Sequence, residues 1–312
     1  MLHLLSTVAA VTKTPEPRTA APIIGVLALP VDGGDCETMH DTTAPRAGSS
    51  CFHSLYVKWL EAAGARVAPL PFDSAQFDSL VNSLNGALIT GGGTDLSDLS
   101  SPYMQAAGRL YNHSLALHAN GEVWPLWGTC MGMQVLSILG ARDPSVLLSY
   151  AYDSEDLQLP LNLTAAAATS ALLCEGCLPA AVRKTLTTRN ATVNLHHDGV
   201  PPDAWRDHPR LATAFNVLST NRDAKGKQFV STIEATGGAP VWGVQWHPER
   251  PQFEWTATMM RFIDRSEDVM TAMFAVASRL VSFARRNGRR FATPEAEAKA
   301  LIYNCARRWH HV

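Results

Sequence analysis

The feature of this sequence that most restricts its fold is an alternation of short apolar runs with segments of helical periodicity. The run IIGVLAL at Ile23–Leu29 has the length of a strand and is apolar throughout, as expected for a strand buried on both faces. In the next segment, Cys51–Ala63, apolar residues recur at helical spacing, and Gly64 then ends the helix. This order predicts β-α units, which require a parallel sheet with helices on both faces.

The same alternation continues along the chain. Further strands are predicted at ARVAPL, GALIT, EVWPLWG, FNVLST, QFVSTIEA and PVWGVQW. Further helices are predicted at DSAQFDSLVNSL and over the ranges 102–118, 269–286 and 294–308. We therefore predict an α/β fold, a three-layer sandwich with a central, mostly parallel sheet. Residues 21–312 form one domain with an irregular insertion around 145–210, and residues 1–20 form a lead-in that is either a signal segment or disordered.

Composition excludes several classes of function. The formal net charge is -2 and the sequence pI is about 6.6, so no basic surface for nucleic acid or for an anionic membrane is expected. No apolar run approaches the roughly 18 residues that a membrane-spanning helix needs. The expected partner is a small-molecule substrate, and the sequence leaves a homodimer open.

The N-terminus and the sequons favour a secretory route. MLHLLSTVAAVT is apolar but has no lysine or arginine before Lys13, which makes it a weak signal segment. Glycosylation sequons begin at Asn112, Asn162 and Asn190. These features predict a secreted, lysosomal or vacuolar protein.

Six cysteines are too few for a disulfide scaffold in a chain of this length. Cys174 and Cys177 form a CEGC pair without a second CxxC to complete a zinc site, so a local disulfide or two free thiols are expected. Cys36 and Cys51 flank a loop and could pair in an oxidising compartment. No metal site is predicted.

Cys130 is the candidate nucleophile. It lies in the motif Gly128-Thr129-Cys130-Met131-Gly132, which follows an apolar strand and opens a helix. A strand-to-helix turn of this kind exposes the thiol above the sheet edge, where the helix N-terminus favours a thiolate. The N–H of Met131 would point at an oxyanion formed beside Cys130. A buried core cysteine between two incidental glycines is the alternative.

A partner for the thiol follows the last predicted strand. His247 lies in GVQWHPE, where Pro248 ends the strand and places the imidazole at the same sheet edge as Cys130. Glu249 could accept a hydrogen bond from Nδ1 and set the tautomer of the ring, as the acid of a catalytic triad does. The pattern predicts a Cys-His-Glu triad.

These motifs resemble the class I glutamine amidotransferase-like superfamily and, more closely, the gamma-glutamyl hydrolases. The resemblance runs from about Pro22 to Asn304 and includes YVKWLEAAGARV, NGALITGGGTDL and VQWHPERPQFEW in the family's order. It implies a flavodoxin-like fold, no cofactor, and hydrolysis of γ-glutamyl bonds in folate and antifolate poly-γ-glutamates through a thioester.

The resemblance also implies roles for individual residues. Cys130, His247 and Glu249 are the catalytic residues. Backbone N–H groups of Gly92 and Gly93 join that of Met131 in an oxyanion hole. The implied substrate-binding residues are Tyr56, His196 (with His197 as the alternative alignment) and Gln134. Gln134 stands where the family often carries Glu. The polyanionic substrate tail further suggests Lys58 and Arg222 at the rim of the cleft.

Three other functions stay open at this point. A hydrolase of other γ-glutamyl amides would use the same chemistry, and a glutaminase that delivers ammonia would share the triad but would need a synthase partner. A non-catalytic binding protein on the same fold is disfavoured because all three triad residue types are present.

Overall fold

The computed structural model describes residues 18–30, 50–255 and 262–304. The strands are β1 (Ile23–Leu27), β2 (Leu29–Pro30), β3 (Ser50–Cys51), β4 (Arg66–Leu70), β5 (Gly86–Ile89), β6 (Leu126–Thr129), β7 (Ser154–Leu159), β8 (Asn162–Leu163), β9 (Thr192–His196), β10 (Phe215–Arg222), β11 (Gln228–Ala235) and β12 (Val241–Val244). The α-helices are α1 (Ser54–Ala62), α2 (Phe77–Ser83), α3 (Pro102–Ala119), α4 (Met131–Ala141), α5 (Ala180–Thr188), α6 (Ala204–Asp207), α7 (Pro209–Ala214), α8 (Arg250–Phe253), α9 (Glu267–Ala284) and α10 (Pro294–Ala300).

The main sheet has eight strands in the order β4-β1-β5-β6-β12-β11-β10-β8. The pairs from β4 to β12 are parallel, and β11, β10 and β8 continue the sheet in antiparallel fashion. In the pairing of β6 with β12, Thr129 lies opposite Val244. The two segments that carry the candidate nucleophile and base therefore leave the sheet side by side.

Helices cover both faces of this sheet, as the alternation of strands and helices predicts. On one face, Leu110 of α3 and Leu136 of α4 belong to one buried apolar cluster. On the other face, Trp59 of α1 and Val276 of α9 belong to a second cluster. Each layer buries its apolar stripe against the sheet, so the predicted three-layer α/β sandwich is confirmed. Within the described residues, no helix is both long and apolar enough to cross a bilayer.

The bounds of several predicted helices differ from the observed ones, and two of these differences have a local physical reason. The first begins at Ser54 rather than Cys51, because the His53 ring caps it by accepting a hydrogen bond from the N–H of Leu55 (3.2 Å). The C-terminal helix predicted over 294–308 ends at Ala300, where the buried Leu301 turns to extended backbone (ψ 138°).

The segment between α4 and β10 contains elements of its own. β7 and β9 form a two-stranded antiparallel sheet beside the main one, while β8 joins the edge of the main sheet. Cys174 and Cys177 form the local disulfide that was one of the two expected states. Cys51 is also in a disulfide, and Cys36 lies outside the described residues, as does most of the predicted lead-in. The division into a lead-in and one domain with an insertion stays a prediction.

A buried pair of amides closes the end of the sheet opposite the candidate site. Asn85 accepts a hydrogen bond from the N–H of Ile23 (2.8 Å) and donates to Asn287 Oδ1 (2.7 Å). Asn287 in turn donates to the carbonyls of Asn85 and Val123, both at 2.8 Å. The two side chains thus tie the starts of β1 and β5, and the segment leading to β6, to the chain after α9.

We predict that Asn287→Ala lowers the free energy of unfolding by about 2–4 kcal/mol, because it leaves several buried backbone and side-chain groups without partners. Denaturant unfolding followed by circular dichroism measures the effect. Asn82→Ala, at an exposed position on α2, is the matched control and should change the stability by less than about 0.5 kcal/mol. Equal stability of the two variants would show that the amide pair is dispensable.

Candidate active site

Cys130 occupies the turn between β6 and α4, as its motif predicts. Its backbone has φ 52° and ψ -109°, a region that side chains larger than glycine rarely enter and that costs about 1–3 kcal/mol. The N–H of Cys130 donates to the carbonyl of Val244 at 2.7 Å, which ties the turn to the end of β12. The side chain is a free thiol at the N-terminus of a helix.

The two glycines of the motif are required by close packing. A Cβ on Gly128 would lie 2.5 Å from the carbonyl oxygen of Gly132. A Cβ on Gly132 would overlap the carbonyl oxygen of Ile89 on β5. Neither contact involves a flexible side chain, so α4 can start directly above the sheet only with glycine at both positions.

His247 and Glu249 form a buried pair beside the thiol. His247 Nδ1 lies 2.7 Å from Glu249 Oε1, and the two residues are 3% and 1% exposed. Burial alone would lower the pKa of His247, but the Glu249 carboxylate and the Cys130 thiolate raise it to about 9. Burial opposes ionisation of Glu249, yet the imidazolium holds the pKa of this carboxyl below its usual value. The pair is therefore ionised at neutral pH.

Three site side chains converge on Gly91, at the end of β5. A Cβ placed on this glycine would lie 2.8 Å from the Tyr56 hydroxyl, 3.0 Å from His247 Cε1 and 3.2 Å from Cys130 Cβ. The Tyr56 hydroxyl accepts a hydrogen bond from the N–H of Gly91 at 2.8 Å. Burial, followed by the Glu249 charge, raises the pKa of Tyr56, so the phenol stays protonated. Its remaining O–H can donate into the site.

The three predicted oxyanion donors, Gly92, Gly93 and Met131, line one cavity. The N–H groups of Gly92, Gly93 and Met131 make no hydrogen bond with any described residue. Gly92 has φ +155°, a backbone conformation that residues with a side chain rarely adopt, so this turn also depends on glycine. Free backbone N–H groups at a helix N-terminus and a glycine turn are suited to binding a developing negative charge.

A cavity of about 590 Å³ extends from these donors along α4. Its lining comes from the glycine turn, from α4 and from the segments after α4 and β9: Gly92, Gly93, Thr94, Asp95, Leu96, Ser97, Met131, Gln134, Ile138, Pro144, Ser145, Leu147, Ser149, Tyr150, His197 and Asp198. A volume of this order suits a drug-sized ligand.

Gln134 belongs to a chain of hydrogen bonds that ends at the thiol. Its Nε2 donates to the carbonyl of Asp198 (3.1 Å) and to Gln245 Oε1 (3.3 Å), and Gln245 Nε2 donates to Cys130 Sγ at 3.5 Å. A carbonyl oxygen can only accept, so Asp198 sets the orientation of both amides. Gln245 thereby presents an N–H to the sulfur.

Sequence reasoning missed Gln245. The available signal was its position two residues before His247, because side chains two apart in extended backbone point to the same side.

His196 lies in the site, and the alternative His197 lies on its rim. The Nδ1–H of His196 donates to the carbonyl of Asp198 at 2.8 Å, which leaves Nε2 unprotonated, buried and without a partner among the described residues. Burial lowers the pKa of His196 to about 4, and the His247 charge acts in the same direction. The ring is therefore neutral.

Neither Lys58 nor Arg222 is among the residues that line the described cavity. Arg222 donates to the carbonyl of Gly226 in the β10–β11 hairpin, and Lys58 is exposed on α1. Among the described residues that line the cavity there is no lysine or arginine; Asp95 and Asp198 supply its carboxylates. Across the described ranges, no group of three or more His, Cys, Asp and Glu side chains could hold a metal ion.

The chain is similar in sequence to proteins of one known family. The profile of the Peptidase C26 family matches residues 22–249. Gamma-glutamyl hydrolase from Rattus norvegicus is 34% identical over 80% of this chain and 75% of its own. The Homo sapiens gamma-glutamyl hydrolase is 34% identical over 90% and 83%, and gamma-glutamyl hydrolase 1 from Arabidopsis thaliana is 31% identical over 94% and 80%. The chain belongs to the Peptidase C26 family, together with the gamma-glutamyl hydrolases.

Proposed function

We propose that this protein hydrolyses γ-glutamyl bonds in folate and antifolate poly-γ-glutamates, with Cys130 as the nucleophile. The observation that carries the proposal is the meeting of the strained Cys130 turn with the buried His247–Glu249 pair at one edge of the sheet. Membership of the Peptidase C26 family and the names of the relatives support the γ-glutamyl bond as the target.

The reaction is an acyl transfer through a thioester. The Cys130 thiolate attacks the γ-carbonyl carbon, and the carbonyl oxygen becomes an oxyanion held by the N–H groups of Gly92, Gly93 and Met131. His247 donates its proton to the leaving amine as the C–N bond breaks. A water molecule then attacks the thioester, His247 accepts its proton, and the carboxylate product and thiolate separate.

Three groups besides the triad support this sequence of steps. The Gln245 N–H at 3.5 Å from Sγ favours the thiolate over the thiol. The Tyr56 hydroxyl, held by the N–H of Gly91, has one O–H left to donate toward substrate. The neutral ring of His196 offers an unprotonated nitrogen to a substrate N–H.

Hydrolysis of other γ-glutamyl amides, glutaminase activity and non-catalytic binding are the competing functions. The cavity of about 590 Å³ favours a substrate larger than free glutamine. The free thiol on a strained turn beside a general base favours catalysis over binding alone.

A secreted, lysosomal or vacuolar location is part of the proposal. The sequon residues Asn112, Asn162 and Asn190 are exposed, as glycosylation requires. The Cys174–Cys177 disulfide, together with disulfide-bonded Cys51, suits an oxidising compartment. The homodimer stays a prediction.

We predict that the wild-type protein releases glutamate or oligoglutamate from folate pentaglutamate at mildly acid pH and that Cys130→Ala reduces the rate at least about a thousandfold, because the nucleophile is lost. Chromatography of the products measures the rate and separates endo from exo cleavage. Free glutamine is the second substrate. Ammonia release without folate cleavage would assign the protein to the glutaminases, and inactivity on both would favour a binding protein.

We predict that kcat/KM declines on the alkaline side near pH 9 as His247 loses the proton that the leaving amine needs. In Glu249→Gln the carboxylate charge that raises the pKa of His247 is removed, so the alkaline limb should move to lower pH. A pH–rate profile of the two proteins checks this. An unmoved alkaline limb in the variant would contradict the role of Glu249.

We predict that Gln245→Met slows alkylation of Cys130 by iodoacetamide at neutral pH about tenfold, because one N–H hydrogen bond to the thiolate is worth about 1.4 kcal/mol or more. Mass spectrometry of the labelled peptide follows the rate independently of any substrate. Gln105→Met, at an exposed position on α3, is the matched control. Equal rates for all three proteins would remove Gln245 from the mechanism.

A further inference from the structure

An exposed aromatic pair stands at the rim of the active-site cavity. The rings of Tyr150 and His197 stack with centroids 4.3 Å apart and an interplanar angle of 11°. Tyr150 is nevertheless 83% exposed, so His197 covers one face of its ring and the other face is open. A large aromatic side chain that remains this exposed gains little stabilisation from burial, and its open face is accessible to a ligand.

Backbone hydrogen bonds hold Tyr150 in a conformation that is unfavourable for a bulky residue. Tyr150 has φ 50°, which is unfavourable for a bulky residue. Its N–H donates to Asp198 Oδ1 at 2.7 Å, and the N–H of Ala151 donates to the carbonyl of His197 at 2.9 Å. The turn is therefore anchored to the same 196–198 segment that sets the tautomer of His196. Strained backbone that is anchored in this way is typical of ligand-binding sites.

Tyr150 and His197 share the cavity with the oxyanion donors. Both aromatic residues line it, as do Gly92, Gly93 and Met131. A substrate whose reacting carbonyl lies at the donors can therefore extend along the cavity and reach the stacked pair.

We propose that Tyr150 and His197 form an aromatic platform that binds the flat aromatic part of the substrate, such as the pteridine or aminobenzoyl group of a folate, by stacking on the open face of Tyr150. This inference rests on the proposed function, since it assigns the recognition of the non-glutamate part of the same substrate. Stacking on an aromatic side chain needs only a planar π-face, and a preformed platform loses little conformational freedom on binding.

The test compares two substrates that differ only in the aromatic group, folate pentaglutamate and N-acetyl-penta-γ-glutamate. Tyr150→Ala should raise KM for the folate substrate about tenfold, which corresponds to a stacking contribution near the lower end of the measured range. We expect kcat for the folate substrate to be unchanged. We also expect kcat and KM for the acetyl substrate to be unchanged. Tyr150→Phe keeps the ring and should resemble the wild-type protein.

Phe274→Ala removes a 44% exposed aromatic residue from α9 and is the control for loss of any surface ring. It should leave kcat and KM unchanged for both substrates. The platform is ruled out if Tyr150→Ala raises KM for both substrates alike or for neither of them.

A binding measurement separates this inference from the proposed function. Folic acid is titrated against Cys130→Ala and against the double variant Cys130→Ala/Tyr150→Ala, with tryptophan fluorescence as the readout. Weaker binding by the double variant supports the platform even if the wild-type protein cleaves neither substrate. Equal affinities in the two proteins overturn it.

Discussion

The hydrogen bond from the N–H of Cys130 to the carbonyl of Val244 is the contact on which the rest of the site depends. It joins the turn after β6 to the end of β12, two parallel strands that lie side by side in the sheet. Because both strands end at the same edge, the nucleophile and the segment that leads to His247 emerge together. The hydrogen-bonded sheet beneath Cys130 thus offsets the free-energy cost of its unfavourable backbone conformation.

The charged pair beside the thiol, His247 and Glu249, is buried, and Arg250 Nε lies 4.0 Å from Glu249 Oε1. His247 and Glu249 are ionised, whereas the groups that surround the thiol are neutral: the amides of Gln134 and Gln245, the Tyr56 phenol and the His196 ring. A thiolate formed there meets a single imidazolium and oriented N–H donors. In a site with little water, fixed dipoles of this kind stabilise developing charge more strongly than they would in solution.

The carbonyl of Asp198 organises the second half of the site. It accepts hydrogen bonds from His196 Nδ1 and Gln134 Nε2, and so it determines both the tautomer of the histidine and the direction of the amide chain that reaches the sulfur. The Asp198 carboxylate also accepts from the N–H of Tyr150 on the cavity rim. Asp198, which follows β9, therefore couples the inner site to the outer wall of the cavity.

The sequence was enough to predict the three-layer α/β fold and to place Cys130, His247 and Glu249 at one sheet edge, because apolar periodicity and strand-end position are local properties of the chain. It did not reveal Gln245, the chain of amides or the absence of Lys58 and Arg222 from the described cavity wall. It also placed the end of the last helix too late, since Leu301 is extended and buried there. These features became visible in the folded protein alone, because each depends on contacts between segments far apart in the chain. No local sequence pattern encodes the distance or direction of such contacts.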